Sequence, residues 1–493
     1  MLALAIVSAG LLPVAWADHP PTAFEFTNRV ANASLRLPRS GPDSTPDFPQ
    51  TLADTGAFSD LATLTPQPGI TPFEVNLPLW SDGAHKTRWF YLPGTNRIVF
   101  SRDGVWLAPI GTVWIKHFDL ELTHGDPDSA RRLETRFLVR TEDGVYGVTY
   151  RWGGSLTNAT LVNAEGMDEN FEVQEGGMIR RQTWHYPSRS ECLTCHNRVA
   201  GYALGFNSAQ LNRDVPCPGG PQNQIRHLSD LGYFNTNLSG IHTLRALATP
   251  TNTEVSLEYR VRSYLAANCV HCHQPEAVCP TPWNAVFTNS LAETRMINGA
   301  LWNNLGDSEN RVIKPGDPDH SVLLQRMATR GTLQMPALGT MIVDTQAVAL
   351  FAAWITNALP HRQSFGDWQR EHFEASGAGE AAPEADPDGD GACNYLEYLS
   401  GTDPWNSGEA WRISTRKVSG GMQISFPQIA NRGFELQWTP NLTERDSWRP
   451  LDVPGNRPFF SAVDRESVVV DPVFNPPHGS PAQRFYRVRV FEP

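Results

Sequence analysis

At 493 residues the chain is too long for one core and, at ordinary domain size, divides into about three to four folded units. A formal net charge of −12 argues against nucleic acid and anionic membrane as partners, since both need a basic face, and leaves a neutral or basic protein as the better fit. Seven cysteines are too few for a disulfide-built scaffold, so apolar packing must form the core and each cysteine needs its own explanation.

The chain begins with a short apolar run from Leu2 to Val14, followed by Ala15-Trp16-Ala17 before Asp18, the small-x-small form of a signal-peptidase site. Residues 1–17 therefore read as a signal peptide, and the mature protein as periplasmic or secreted. A membrane anchor is the alternative. The run is shorter than the ~20 apolar residues a spanning helix needs, and nothing similar recurs, so no membrane span is expected after signal cleavage. The usual Lys or Arg ahead of the run is missing.

Within residues 18–186, Thr71 to Trp184 shows short β-prone runs between Gly, Asp and Pro: Val105 to Leu107, Thr112 to Leu122, Arg136 to Arg140 and Val145 to Trp152. This reads as an N-terminal antiparallel β-domain whose Trp and Tyr residues pack its strands. Residues 187–253 are loop-rich with short helices, have little core of their own, and carry the first cysteine pair. Residues 254–360 open on an amphipathic helix, Glu254 to Asn268, that runs into the second pair. They close on a helix capped by Asp344, with Val348, Phe351, Trp354 and Ile355 on one face. A linker is expected at residues 361–385, where Ala375 to Pro387 is rich in Ala, Gly, Glu and Pro. After an acidic loop at 386–405, residues 406–493 return to alternating runs, at Gly421 to Phe426, Phe434 to Trp438, Ser467 to Val470 and Phe485 to Phe491, which suit a C-terminal β-sandwich.

Two segments match C-x-x-C-H: Cys192-Leu193-Thr194-Cys195-His196 and Cys269-Val270-His271-Cys272-His273. Two thiols one short turn apart can add to the two vinyl groups of a c-type haem, and the adjacent imidazole then sits below the iron. The competing reading is a zinc ion held by both C-x-x-C pairs, which leaves His196 and His273 unexplained. Two motifs behind an export signal favour haem, because haem is attached after export.

Opposite His273 an iron needs a sixth ligand or an open position. Met335-Pro336 lies about 60 residues downstream, in a loop before the closing helix, and its thioether suits electron relay. Met327 or Met296 as ligand, or no ligand, are the alternatives. For the first motif no such loop follows. His227 and His242 lie downstream and His85, His117, Met167, Met178 and His185 upstream, none with a strong claim. An open position there would allow peroxidase-like chemistry.

The run from Asp386 to Glu397 matches the D-x-D-x-D-G-x5-E calcium loop position by position. Asp386, Asp388, Asp390 and Glu397 offer carboxylates, Gly391 the turn, Ala392 its carbonyl, and Asn394 the ninth, often water-mediated, position. A solvated acidic linker is the plainer reading, but it does not require the Gly and Glu where they stand. One structural calcium ion is expected before the last domain. Of the other cysteines, Cys217 and Cys279 are flanked by Pro and leave a disulfide open, and Cys393 suits a small buried position.

Pro78-Leu79-Trp80-Ser81-Asp82-Gly83-Ala84-His85-Lys86, Pro187 to Cys192, and Gly201 to Asn207 resemble a dihaem c-type cytochrome family of exported bacterial proteins. The likeness runs over about residues 70 to 360. It includes Val312 to Pro318 and Met335-Pro336, which look like the second half of many bacterial cytochrome c domains. It implies covalent haem at Cys192, Cys195, Cys269 and Cys272, proximal ligation by His196 and His273, and distal ligation by Met335. The two helices that bracket the second motif suggest a small helical cytochrome c domain, and the whole chain reads as multidomain α+β. Some relatives are associated with quinoprotein-type dehydrogenases, which suggests such an enzyme as redox partner and electron donor. Gly401-Thr402-Asp403-Pro404 resembles tails of exported bacterial proteins. The expected function is electron transfer by two haems from a periplasmic dehydrogenase to a downstream acceptor. A dihaem enzyme and a zinc-stapled binding module are the alternatives.

Overall fold

The computed structural model describes residues 35–38, 47–217, 219–277, 279, 281–373, 379–444, 447–472 and 483–493. The expected signal peptide lies outside them. The fold mixes helices with several antiparallel sheets. Among the described residues no helix is long and apolar enough to cross a membrane.

A six-stranded antiparallel meander is the largest sheet, running in sequence order through Ile70–Pro72, His85–Tyr91, Val113–Glu121, Ala130–Arg140, Val145–Arg151 and Thr160–Leu161. Side chains alternate between its two faces, and both faces are covered. On one face Trp89, Val113, Ile115, Phe137 and Tyr150 pack beneath the N-terminal segment that supplies Phe48, Leu52 and Phe58. On the other, Phe90, Trp114 and Leu138 receive Phe206, Leu211, Ile225, Leu228, Tyr233 and Phe234 from the loop-rich segment. That segment has little core of its own and makes one with the sheet. Val105 to Leu107, read from sequence as a strand, forms only isolated bridges, Val105 to Asn207 and Leu107 to Val99. A long hairpin, Met167–Glu175 with Met178–Tyr186, completes this half of the molecule.

The helix Leu257–Asn268 starts at Ser256, whose hydroxyl accepts from the Tyr259 amide. The helix Thr345–Ala353 starts at Asp344, whose carboxylate accepts from the Ala347 amide at 3.0 Å. Phe351, Trp354 and Ile355 are buried there against Val261, Tyr264 and Leu265, with Val348 at the edge of the same cluster.

The expected linker at 361–385 is not a simple spacer. Phe365–Phe373 is a helix, and Trp368 enters the last core, because its aromatic face has Tyr398 and Leu399 to pack on. Two three-stranded antiparallel sheets enclose that core: Ser414–Val418, Gly421–Gln428 and Arg465–Asp471 in one, Gly433–Thr439, Arg449–Pro450 and Phe485–Phe491 in the other. Ile424, Phe426 and Val469 meet Phe434, Leu436 and Val490 between them. Arg362 ties this part to the helical one, bonding Glu258 at 3.1 Å and Glu492 at 2.8 Å.

Candidate functional site

The first C-x-x-C-H begins on the helix Arg189–Cys195, set by a capping box in which the Ser188 hydroxyl accepts from the Glu191 amide and the Glu191 carboxylate accepts from the Ser188 amide. This helix lies on the sheet over Gly147. A Cβ at Gly147 would come within 2.8 Å of Cys192 Sγ, so only glycine permits the approach. His196 follows as the C-cap and bonds through Nδ1 to the Tyr202 carbonyl at 2.6 Å. That bond fixes the ring and makes Nδ1 the protonated nitrogen, leaving a lone pair on Nε2, the arrangement a metal-ligating histidine requires. Burial, with the nearby Lys116 charge, pushes the His196 pKa down to about 3, so the ring is neutral.

A cavity of about 1400 Å³, open mouth included, adjoins this motif and is lined by Cys192, Cys195 and His196 on one side and by the sheet on the other. Of His85, His117, His185, His227, His242, Met167 and Met178, His185 alone is on its wall. Both its nitrogens are engaged, Nδ1 with Asp168 at 2.7 Å and Nε2 with Glu191 at 3.0 Å. His117 is buried among Thr135 and Asp119, and Met167 and Met178 are exposed.

Burial alone would lower the His185 pKa, but its bonds to Asp168 and Glu191 raise it. The charged ring joins the long hairpin to the motif helix, so this contribution is complete below the ordinary value of about 6.5 and is lost as pH rises through the higher folded value. Because the groups are partly exposed, melting at stepped pH should show a loss of no more than about 1 kcal/mol over that window, absent in His185→Asn.

The second motif follows the C-terminus of Leu257–Asn268. A second cavity, about 1620 Å³ with its open mouth, is lined by Cys269, Cys272, His273, Met327 and Met335. Thus His273 and Met335, 62 positions apart, face one space. His273 stacks on Trp283 with ring centroids 4.3 Å apart, and its Nδ1 is 3.4 Å from the Thr281 hydroxyl. Burial drives its pKa down to about 4 and that of Cys269 up to about 12. Met296 is buried in the helical core.

The Met335 segment is held by a residue whose role the spacing does not reveal. Asp82 is buried, and its carboxylate accepts from the Thr340 hydroxyl at 2.7 Å and from the Met341 and Ile342 amides at 2.8 and 2.9 Å. Trp80 reinforces the contact, donating its indole N–H to the Ile342 carbonyl at 2.9 Å.

The two motifs touch. Cys195, His271, Pro336 and Leu338 line both cavities. Asn197 donates to the His271 carbonyl at 3.1 Å, and donor atoms of Cys195, His271 and Cys272 lie within 4.8 Å of one another. The hydrogen bond between the two thiols splits their proton affinities, lowering the pKa of Cys195 and raising that of Cys272. Cys279 also bonds Cys272, whereas Cys217 interacts with the Gln222 backbone. All seven cysteines are free, so the disulfide left open for Cys217 and Cys279 is not formed: each is held by a different neighbour.

In the acidic loop Asp386 turns inward, accepting from the amides of Gly389 at 3.0 Å and Gly391 at 2.9 Å. Asp388 Oδ2, Asp390 Oδ2, Asn394 Oδ1 and Glu397 Oε2 are all buried without a partner. Four unpartnered oxygens in one loop are a donor set that fits a hard cation. Burial and the Asp388 and Asp390 charges push the Glu397 pKa up to about 7. The Asn394 amide N–H2 is committed to the Glu380 and Ala382 carbonyls at 2.7 and 2.8 Å, and its oxygen stays available. Ala392 is buried at the seventh position, and Cys393 is the residue before the helix Asn394–Ser400.

Comparison of the chain with family models, with curated proteins and with solved structures gives no match.

Proposed function

We propose that this protein is an exported dihaem c-type cytochrome that passes electrons from a periplasmic dehydrogenase to a downstream acceptor. One observation supports the reading most: each C-x-x-C-H motif opens on its own large cavity, and the two cavities share a wall. A haem in each would supply one-electron redox chemistry, and the protein's part is to position it and set its potential. Cys192 and Cys195 would anchor one and Cys269 and Cys272 the other. His196 and His273 would each supply an imidazole ligand, and Met335 would supply a thioether ligand for the second haem. With a haem in each cavity, the shared wall would let electrons pass between them over a short distance. In this reading residues 254–360 are the cytochrome c domain and the two last sheets a β-sandwich. Asp386, Asp388, Asp390, the Ala392 carbonyl, Asn394 and Glu397 would hold one calcium ion.

The cluster of Cys195, His271 and Cys272 favours zinc as the second reading, since these donors already converge. Zinc leaves the two cavities and the prepared His196 unused. Protein matured with haem-attachment machinery is expected to contain two covalent haems by pyridine quantification. Cys192→Ser/Cys195→Ser and Cys269→Ser/Cys272→Ser should each retain one. Stoichiometric zinc with no covalent haem would overturn the proposal.

A further inference from the structure

The floor of the first cavity carries a pattern that the two C-x-x-C-H motifs do not explain. Lys116 stands directly opposite Arg88 on one neighbouring strand and Arg136 on the other, and all three side chains line the cavity. Like charges placed opposite each other across strands are destabilising, so a bare row of three cations calls for compensation. Arg88 and Arg136 are each engaged within the protein, Arg88 donating to the Lys86 carbonyl at 3.3 Å. Arg136 is paired with the buried Glu134, which accepts from its Nε at 2.8 Å. Lys116 has no carboxylate within ion-pair distance among the described residues.

The acidic groups on the cavity wall are committed elsewhere. Asp82 holds the 340–342 backbone, and Glu191 is shared between the Ser188 cap and His185. A further donor points the same way. The indole N–H of Trp114, two residues from Lys116 on the same face of the strand, is buried on the cavity wall without an acceptor. Burial and the flanking arginines push the Lys116 pKa down to about 7, and Glu134 offsets them only in part.

We propose that Arg88, Lys116 and Arg136, with the Trp114 N–H, form an anion-binding ladder in the first cavity that takes a carboxylate or small oxyanion beside His196. The anion has two sources with the same chemistry: the propionate carboxylates of a haem in this cavity, or a free small oxyanion that enters it. The first source rests on the haem proposal above; the second does not. An anion here would offset part of the row's charge and accept a hydrogen bond from the indole N–H.

The test uses the full chain as purified and Lys116→Met, with Trp114→Phe as a milder variant that keeps the ring. Covalent haem is counted first, so that failure of the haem reading is seen separately. Each protein is then titrated with sodium nitrite and with inorganic phosphate, followed by calorimetry and by the Soret band, and resonance Raman spectra are recorded. If the occupant is a free oxyanion, the parent protein binds a probe and Lys116→Met weakens it by about tenfold or more, as expected for losing a charge-assisted bond. If the occupant is a haem carboxylate, neither probe binds, the propionate-bending band of one haem shifts in both variants, and the reduction potential of that haem falls in Lys116→Met. Two haems with no probe binding and unchanged Raman bands and potentials would overturn the ladder and leave the haem reading standing. In protein without covalent haem, calorimetry decides alone: probe binding weakened by Lys116→Met supports the site, and its absence overturns it.

Discussion

Asp82→Ala is expected to release the Met335 segment. The carboxylate accepts from one hydroxyl and two backbone amides of residues 340–342, and in the buried setting each donor left without an acceptor costs about 1–3 kcal/mol. Melting should therefore drop by several kcal/mol, less in Asp82→Asn, which keeps one acceptor oxygen. Under the proposed ligation the haem count stays at two, while one reduced haem becomes reactive to carbon monoxide and the charge-transfer band of a thioether-ligated ferric haem disappears. Met335→Ala should give the same spectral change with a much smaller loss of stability, since it removes the ligand and keeps the anchor. Carbon monoxide binding already present in the parent at both haems would contradict Met335 as ligand.

Calcium should stabilise the C-terminal part, and chelation should loosen it. Four buried oxygens of Asp388, Asp390, Asn394 and Glu397 have no partner in the protein alone, so a cation gains them without breaking other bonds. Sites of this kind in extracellular modules bind at about 10⁻⁴–10⁻³ M, so calcium at about 10 mM stands at roughly ten to a hundred times the dissociation constant. Linkage then gives about 1.4–2.7 kcal/mol, read as a rise in melting temperature over the same protein in chelator. Glu397→Gln should abolish the calcium response without destabilising the metal-free protein, because it removes a carboxylate that Asp388 and Asp390 already disfavour in its charged form. The loosening should spread to the helix Phe365–Phe373, since Gln369 donates to the Ala381 carbonyl at 2.6 Å and Asn394 grips the same turn.

Much of this was legible in the chain itself because it depends on local patterning. The C-x-x-C-H spacing, the twelve-position acidic loop, the helix ending at Asn268 and the Asp344 cap are set by residues a few positions apart. The strands of the large sheet show as β-prone runs between Gly, Asp and Pro, and those of the last two sheets as alternating runs.

Contacts between distant segments could not be read so. Val105 to Leu107 has β-prone residues but finds only single bridges, and Phe365 to Phe373, inside a stretch read as linker, becomes a helix because a core lies beside it. The pairing of Cys217 with Cys279 was open from sequence, and the fold settles it by placing Cys279 on Cys272. Asp82 and Trp80 stood out only as part of a resemblance. Their work on the Met335 segment spans 258 positions in the Asp82–Thr340 bond.

The sequence by itself determined which residues have the chemistry: two thiol pairs with their histidines, a methionine, and a loop of oxygen ligands. Tertiary structure alone decided that the two motifs share a wall and that Asp82 anchors the methionine segment. It alone also put Arg88, Lys116 and Arg136 in one row, because strand register sets side chains from distant segments opposite one another, and no short-range pattern encodes that register.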